Sequence, residues 1–387
     1  MNAINKENSK VFLLILLGML SAFGPFVTDM YLPSLPAMAD YFSASLPLAL
    51  GQIFFGPLSD KYGRRPLLLV SMLLFIVSTL FCLFAPDIYS FVTLRLIQGI
   101  AGAGGIVISR SVATDKFSGK ELAKMLAVIG AINGVAPVAA PVIGGLLTGS
   151  VGWQGIFMIL LFIGILLGIG CIRFKESLPA EKRSKTGVWA TFRSFGIIVH
   201  NRRYMLYVFQ LAFAQGILFA YIASSPFIIQ QHYGFSPFAF SICFAVNAVA
   251  IGVAAALSVK FRRTENGTLT GCIGMLVFAV LQMAALYSGC GFWTYELLMF
   301  ALLFMMGLTF TSSTTLAMDC ERRYAGAASA LLGALCFASG GIVSPLVGLG
   351  DFLISTGVTF VICAVCSLLC ALWAVKRTGS KVALCRI

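Results

Sequence analysis

Lysine and arginine come in bursts along this chain, at residues 6–10, 61–65, 110–124, 173–203, 260–263, 322–323 and 376–386. Between the bursts lie apolar stretches, most of them long enough for two membrane crossings. The connections midway, around Asp40, Asp87, Gly149–Gly152, His232, Gly289–Gly291 and Asp351, carry no Lys or Arg. Basic residues on every second connection follow the positive-inside rule and predict both termini on the cytoplasmic side. Backbone in hydrocarbon must satisfy its own hydrogen bonds, so the crossings are helices and the class is an all-α polytopic membrane protein. Composition agrees: 59% of residues are hydrophobic and 11% charged, against about 25% charged in soluble domains, and the mean hydropathy is +0.96. The net charge of +13 therefore reports topology and contact with the lipid bilayer, not nucleic acid, because no basic run is interleaved with aromatics on a soluble module.

Spans are expected at 11–32, 37–58, 67–85, 89–112, 122–147 and 153–173, and again at 204–226, 236–259, 267–288, 293–316, 325–348 and 352–375. That gives an N-terminal six-helix bundle at 1–173, a basic linker at 174–203 and a C-terminal six-helix bundle at 204–387. The first apolar run shows no cleavage pattern and reads as a retained helix. "LSDKYGRR" (Leu58–Arg65) and "LSVKFRR" (Leu257–Arg263) each follow the second span of a half, the trace of a duplicated unit. The second span is the difficulty. Its apolar run, Leu46–Leu58, is short against the roughly 20 residues a crossing needs. Parity of the basic loops nevertheless requires a crossing. The reading is a shortened second helix that starts near Ala37, places Asp40 at the outer interface and is kinked by Pro47.

No P-loop, G-x-S-x-G or H-E-x-x-H pattern is present, and His200 and His232 are the only histidines. The chain reads as no enzyme and calls for no cofactor. Cys363, Cys366 and Cys370, inside an apolar run without histidine, read as small apolar residues and not as a metal site. A solute carrier without ATP hydrolysis must draw on a gradient, which directs attention to ionisable groups within the spans. Asp29 lies in the outer part of the first span and is either an interfacial acid or a functional carboxylate. Arg95, about two turns inside the fourth span, needs a partner, and Asp29 sits at similar depth. Glu296, at the outer edge of the tenth span, reads as interfacial.

The loop "GPLSDKYGRRP" has a mechanical logic. Gly56 and Gly63 permit close approach and a tight turn. Asp60 can accept from a helix N-terminus or from arginine, and Arg64 and Arg65 can bind acids on neighbouring helix ends, with Asp115 the candidate partner. Such a latch could hold one conformation and release in another; plain cytoplasmic retention is the simpler alternative. "GAINGVAPVAAPVIGGLL" in the fifth span combines Gly134, Gly144 and Gly145 with Pro137 and Pro141, suited to close packing and to bending. Gln98, Gln210, Phe213, Gln215, Tyr221 and Asn247 could line a substrate cavity or serve helix–helix hydrogen bonds.

Together these stretches resemble the major facilitator superfamily and, within it, the twelve-span drug:proton antiporters of the Bcr/CflA subfamily. "GPLSDKYGRRP" resembles the superfamily's loop 2–3 signature. "RLIQG" (Arg95–Gly99) is similar to the span 4 motif whose arginine serves proton coupling, and "APVAAPVIGG" (Ala136–Gly145) to the span 5 antiporter motif. "DMYLPSLP" (Asp29–Pro36) and "AGAASALLG" (Ala325–Gly333) resemble subfamily marks. The resemblance implies two six-helix bundles related by a pseudo-twofold axis, a central cavity and alternating access. It further implies proton-driven export of amphipathic drugs such as bicyclomycin, sulfonamides or chloramphenicol across a bacterial inner membrane by a monomer. Asp29 and Arg95 would then respond to protons. The alternatives are a metabolite or amino-acid exporter on the same scaffold, or a transport-impaired variant, because the family has a fuller span 2 than this chain.

Overall fold

The computed structural model describes residues 8–42, 63–178, 196–321 and 325–384, which are helical almost throughout. They fall into two compact units, residues 8–42 with 63–178 and residues 196–321 with 325–384. The first contains α1 (Lys10–Asp29), a 3₁₀ turn (Leu32–Ser34), α2 (Leu35–Phe42), α3 (Arg64–Cys82), α4 (Ile88–Lys116) and α5 (Gly119–Arg173). The second contains α6 (Arg202–Phe227), continued by a π turn (Ile228–His232), then α7 (Pro237–Ser258), α8 (Thr264–Tyr287), α9 (Phe292–Cys320), α10 (Ala325–Leu346) and α11 (Phe352–Leu384).

Among the described residues nine helical segments are long and apolar enough to cross a membrane, and Ile88–Gly102 is a shorter apolar one. One of the nine, Val135–Arg173, contains a chain reversal. Gly152 has φ +66°, a backbone state that L side chains resist and glycine adopts freely. Before it α5 runs alongside α1, with Ile132 at Gly18 and Gly144 at Met30. After it the chain returns, bringing Gly164 to Phe75 and Gly170 to Leu16. The fifth and sixth expected spans are thus the two limbs of α5.

The expectation for span 2 needs correction at its start. Ala37 does not open a second helix. Met30 packs at Gly144, Ser34 at Thr148 and Tyr41 at Trp153. This near-constant offset means that α1, the 3₁₀ turn and α2 advance as one run along α5, Lys10–Tyr41. Pro33 sits in the first turn of the 3₁₀ helix, where no backbone N–H is required, so "LPSLP" tightens the helix for one turn instead of reversing it. The rest of the expected second span, including Pro47, lies outside the described residues.

Both units share one packing plan. In the first, α1 packs on α4 and α5, and α3 on α4 and α5. In the second, α6 packs on α9, α10 and α11, and α8 on α9 and α11. This is the duplication that the repeated basic loop suggested. In the first unit the charged ends collect together. Lys10 pairs with Glu121 at 2.7 Å, and Asn8 bonds the backbone of Lys175 in both directions. Asp29, Asp87 and Trp153 lie toward the other end. Outward faces are apolar, as Val70, Leu73, Val77 and Phe81 on α3 show; a stripe of that kind requires lipid or another apolar cover.

Candidate functional site

The end of the first unit away from Lys10 and Glu121 is built around Arg95. Asp87 caps α4: its carboxylate accepts from the Ser90 backbone N–H at 2.9 Å and from the Ser90 hydroxyl at 2.8 Å. That backbone bond foremost, then the hydroxyl, holds the Asp87 carboxyl below its ordinary value of 3.8. Two turns on, Arg95 Nη2 donates to the Val27 carbonyl at 3.0 Å, and Nη1 donates to Gln98 Oε1. The guanidinium lies 4.1 Å from the Tyr31 ring centroid and 5.4 Å from that of Phe157, a cation–π seat worth about 2 kcal/mol when desolvated. Gln98, fully buried, passes the network on by donating to Thr79 Oγ1 at 2.6 Å. Arg95 therefore touches groups of α1, α4, α5 and the turn after α1, all of them neutral. Asp29, the last residue of α1, is half-buried and within Coulombic range of Arg95. The two form no ion pair; the guanidinium's hydrogen bond to α1 goes to a carbonyl two residues earlier.

The antiporter-like stretch is seated against this same corner. A Cβ on Gly144 would stand 1.8 Å from the Met30 carbonyl oxygen, so only glycine allows this backbone contact. Thr148 Oγ1 shares a 3.0 Å hydrogen bond with Ser34 and donates to the Gly144 carbonyl at 2.8 Å. Pro141 and Gly145 are buried and Pro137 is half-buried on the same limb, while Gly134 lies further back along it.

At the charged end, Gly63 adopts φ +100° immediately before α3. Arg64 Nε reaches Asp115 Oδ2 at 3.0 Å, with both side chains largely buried. Ser177 donates to the same oxygen at 3.1 Å, and Arg65 Nη2 donates to the Ile172 carbonyl at 2.9 Å. Glu176, which the sequence did not single out, organises the rest. Its carboxylate accepts from the backbone N–H groups of Arg64, Arg65, Ser177 and Leu178 at 3.0–3.2 Å, closing the N-terminus of α3. In "KESLPAEKRSK" it looks like one more linker charge; only the return of α5 beside α3 gives it this task. Gly56 and Asp60, the other expected members, lie outside the described residues.

In the second unit Gln210 donates to Ser367 Oγ at 3.1 Å and to Cys272 Sγ at 3.4 Å, and Ser367 returns a bond to the Gln210 carbonyl at 3.1 Å. These are interhelical bonds among α6, α8 and α11. Phe213 and Gln215 are half-buried on α6. Asn247 donates to Tyr221 Oη at 3.1 Å and to Glu296 Oε1 at 2.8 Å. Glu296, half-buried, thus faces inward rather than sitting free at the interface. Neither its position near a helix end nor its isolation in sequence signalled that partner.

An apolar helical protein with two units of one packing plan, and with its few buried charges held either by neutral groups, as Arg95 is, or by an opposite charge, as Arg64 is, has the build of a membrane transporter. The sequence profile of the Major Facilitator Superfamily matches residues 9–345, and the chain belongs to that superfamily. It is 38% identical to an uncharacterised MFS-type transporter, YdgK, of Bacillus subtilis (strain 168), covering 90% of this chain and 91% of that protein. It is 28% identical to a bicyclomycin resistance protein homolog of Haemophilus influenzae, covering 89% and 90%. It is 25% identical to a chloramphenicol resistance protein of Pseudomonas aeruginosa, covering 83% and 78%. Among solved structures, a bacterial homolog of the human lysosomal transporter Spinster superposes with a TM-score of 0.76 at 17% identity, over 95% of this chain and 99% of that one. The nucleoside transporter NupG gives 0.73 at 11% identity, over 94% and 99%. These last two likenesses establish the fold alone.

Proposed function

We propose that this transporter is a proton-coupled exporter of amphipathic drugs, of bicyclomycin, sulfonamide or chloramphenicol type. It would work by alternating access in a bacterial inner membrane with both termini in the cytoplasm. The observation that carries the reading is the setting of Arg95. A cation held in an apolar unit by neutral groups, with a carboxylate in Coulombic range but not bonded to it, responds to whether that carboxylate is charged. Asp29 is the proton acceptor in this scheme. Its protonation state is read by Arg95 and transmitted to the limb of α5 that rests backbone to backbone on Met30. Arg64, Arg65 and Asp115 form the cytoplasmic latch. The relatives with bicyclomycin and chloramphenicol resistance in their names support the substrate class. The test is efflux of chloramphenicol and of bicyclomycin from proteoliposomes under an imposed pH gradient. Wild type should export and Asp29→Asn should lose gradient-driven export at least about tenfold, a change of about 1.4 kcal/mol in the driving step. Undiminished gradient-driven export by Asp29→Asn removes Asp29 from the mechanism, and absence of export by wild type removes the drug reading.

A further inference from the structure

The Tyr221–Asn247–Glu296 group is another place where this molecule holds an ionisable side chain inside, and nothing in the scheme above uses it. Three helices supply it: Tyr221 from α6, Asn247 from α7 and Glu296 from α9. Tyr221 and Asn247 are fully or almost fully buried, and Tyr221 is stacked on Phe244, with ring centroids 5.6 Å apart and planes 16° from parallel. Asn247 spends both amide protons, one on Tyr221 and one on Glu296 Oε1. No donor reaches the remaining acceptors: Glu296 Oε2 and Asn247 Oδ1 are buried without a partner, and the Tyr295 hydroxyl, itself a donor, is also unpaired and so lies beyond hydrogen-bond distance of both. No Lys or Arg forms an ion pair with Glu296 among the described residues. The titratable groups that face it are Tyr221 on α6, Cys243 on α7 and its neighbour Tyr295 on α9.

A carboxylate in this seat leaves two acceptors stranded, and a buried acceptor without a donor loses the hydrogen bonds that water would give it. One added hydrogen removes the mismatch. A carboxyl O–H supplies the absent donor, and the neighbouring amide can rotate to offer its oxygen. A metal ion suits the seat less well, because hard cations take six or more oxygen ligands and the helical carbonyls here are already engaged. The duplicated architecture adds a second argument. α9 occupies in the second unit the packing position of α4 in the first. α4 carries Arg95 about two turns from its start, and α9 carries Glu296 about one turn from its own. Each repeat thus holds one charged side chain toward the same end of the same helix.

We propose that Glu296 is a proton-binding carboxyl of the second unit, taking up a proton that rearranges the Tyr221–Asn247 hydrogen bonds. Its use as a second coupling site rests on the export reading given above; proton binding itself does not. The step is a plain association of H⁺ with one carboxylate oxygen, with no other bond made or broken.

The test uses the purified full chain in lipid nanodiscs without drug, and follows the protonated-carboxyl infrared band and the proton uptake per chain across a downward pH step. Wild type and Asp29→Asn should both show the Glu296 band. Glu296→Gln, which keeps the shape and the Asn247 bond, should lose that band and one proton of uptake. Glu296→Asp should keep a band and move it in frequency, which a merely structural role does not produce. An unchanged band and proton count in Glu296→Gln overturn the proposal. A band that follows added sodium at constant pH overturns it in favour of an inorganic cation. Because no drug is present, failure of export leaves this result standing, and failure here leaves the Asp29 experiment standing.

Discussion

The contact between Gly144 and Met30 yields the sharpest prediction. Alanine at Gly144 would place its Cβ 1.8 Å from the Met30 carbonyl oxygen and 2.8 Å from the carbonyl carbon. Carbon–oxygen contacts settle at about 3.3 Å, so the two backbones must part by roughly 1.5 Å. Neither partner is a flexible side chain end, so the strain falls at the upper end of the overpacking range, about 3 kcal/mol. Alanine returns about 1 kcal/mol through its better helix propensity, which leaves about 2 kcal/mol of net destabilisation. For a unit of this size that corresponds to a fall in Tm of about 4–8 °C. Gly149→Ala on the same limb is the control, because no atom lies within 4 Å of its Cβ position; it should melt at or slightly above the wild-type temperature. Thermal unfolding of the two variants and wild type in one detergent makes the comparison. Equal melting of Gly144→Ala and Gly149→Ala would refute the claim that backbone contact, rather than glycine's flexibility, fixes this position.

The charged end and α4 give further outcomes. Glu176→Gln replaces one acceptor oxygen by a donor facing backbone N–H groups, and should destabilise the first unit by about 1–3 kcal/mol in a thermal melt. Asp115→Asn keeps an oxygen but uncovers a buried guanidinium; a loss of up to about 3 kcal/mol is expected, at the low end for breaking a buried pair. Arg95→Lys cannot hold the Val27 carbonyl, Gln98 and the Tyr31 face together. In proteoliposomes its gradient-driven efflux should fall, and the lost contacts, up to about 2 kcal/mol, should lower the melting temperature by a few degrees. The exposed Asp87 carboxyl is held below 3.8 by Ser90, so its capping contribution is fully present above that pH and is lost as pH falls through the lower folded value. The melting difference between wild type and Asp87→Ala should therefore be constant from neutral pH to about 5 and vanish in stronger acid.

The chain's rhythm of basic bursts and uncharged connections made its class, the limits of most helices and the duplicated halves legible in one dimension. Each of these follows from local physics: hydrocarbon excludes charge, and a crossing helix has a set length. The same reasoning reached Arg64 with Asp115, because both had to stand at the charged ends of adjacent helices. It failed at "LPSLP", where the first span was expected to end at residue 32 and a second helix to open near Ala37. The chain instead takes a single 3₁₀ turn and α1 runs on to Tyr41.

Pairings between distant segments were a different matter. Sequence placed Asp29 and Arg95 at one depth, but not the Val27 carbonyl and the Tyr31 ring that hold the guanidinium. It marked Gly144 as small without naming Met30 as the reason. It left Glu176 among linker charges and Glu296 at an interface, whereas packing turned the first onto the start of α3 and the second onto Asn247. Sequence alone determined which stretches form helices apolar enough for lipid, because that depends on each segment's own transfer free energy. Tertiary structure alone decided which neutral or charged group each buried polar atom meets, because that depends on how helices far apart in the chain are rotated against one another.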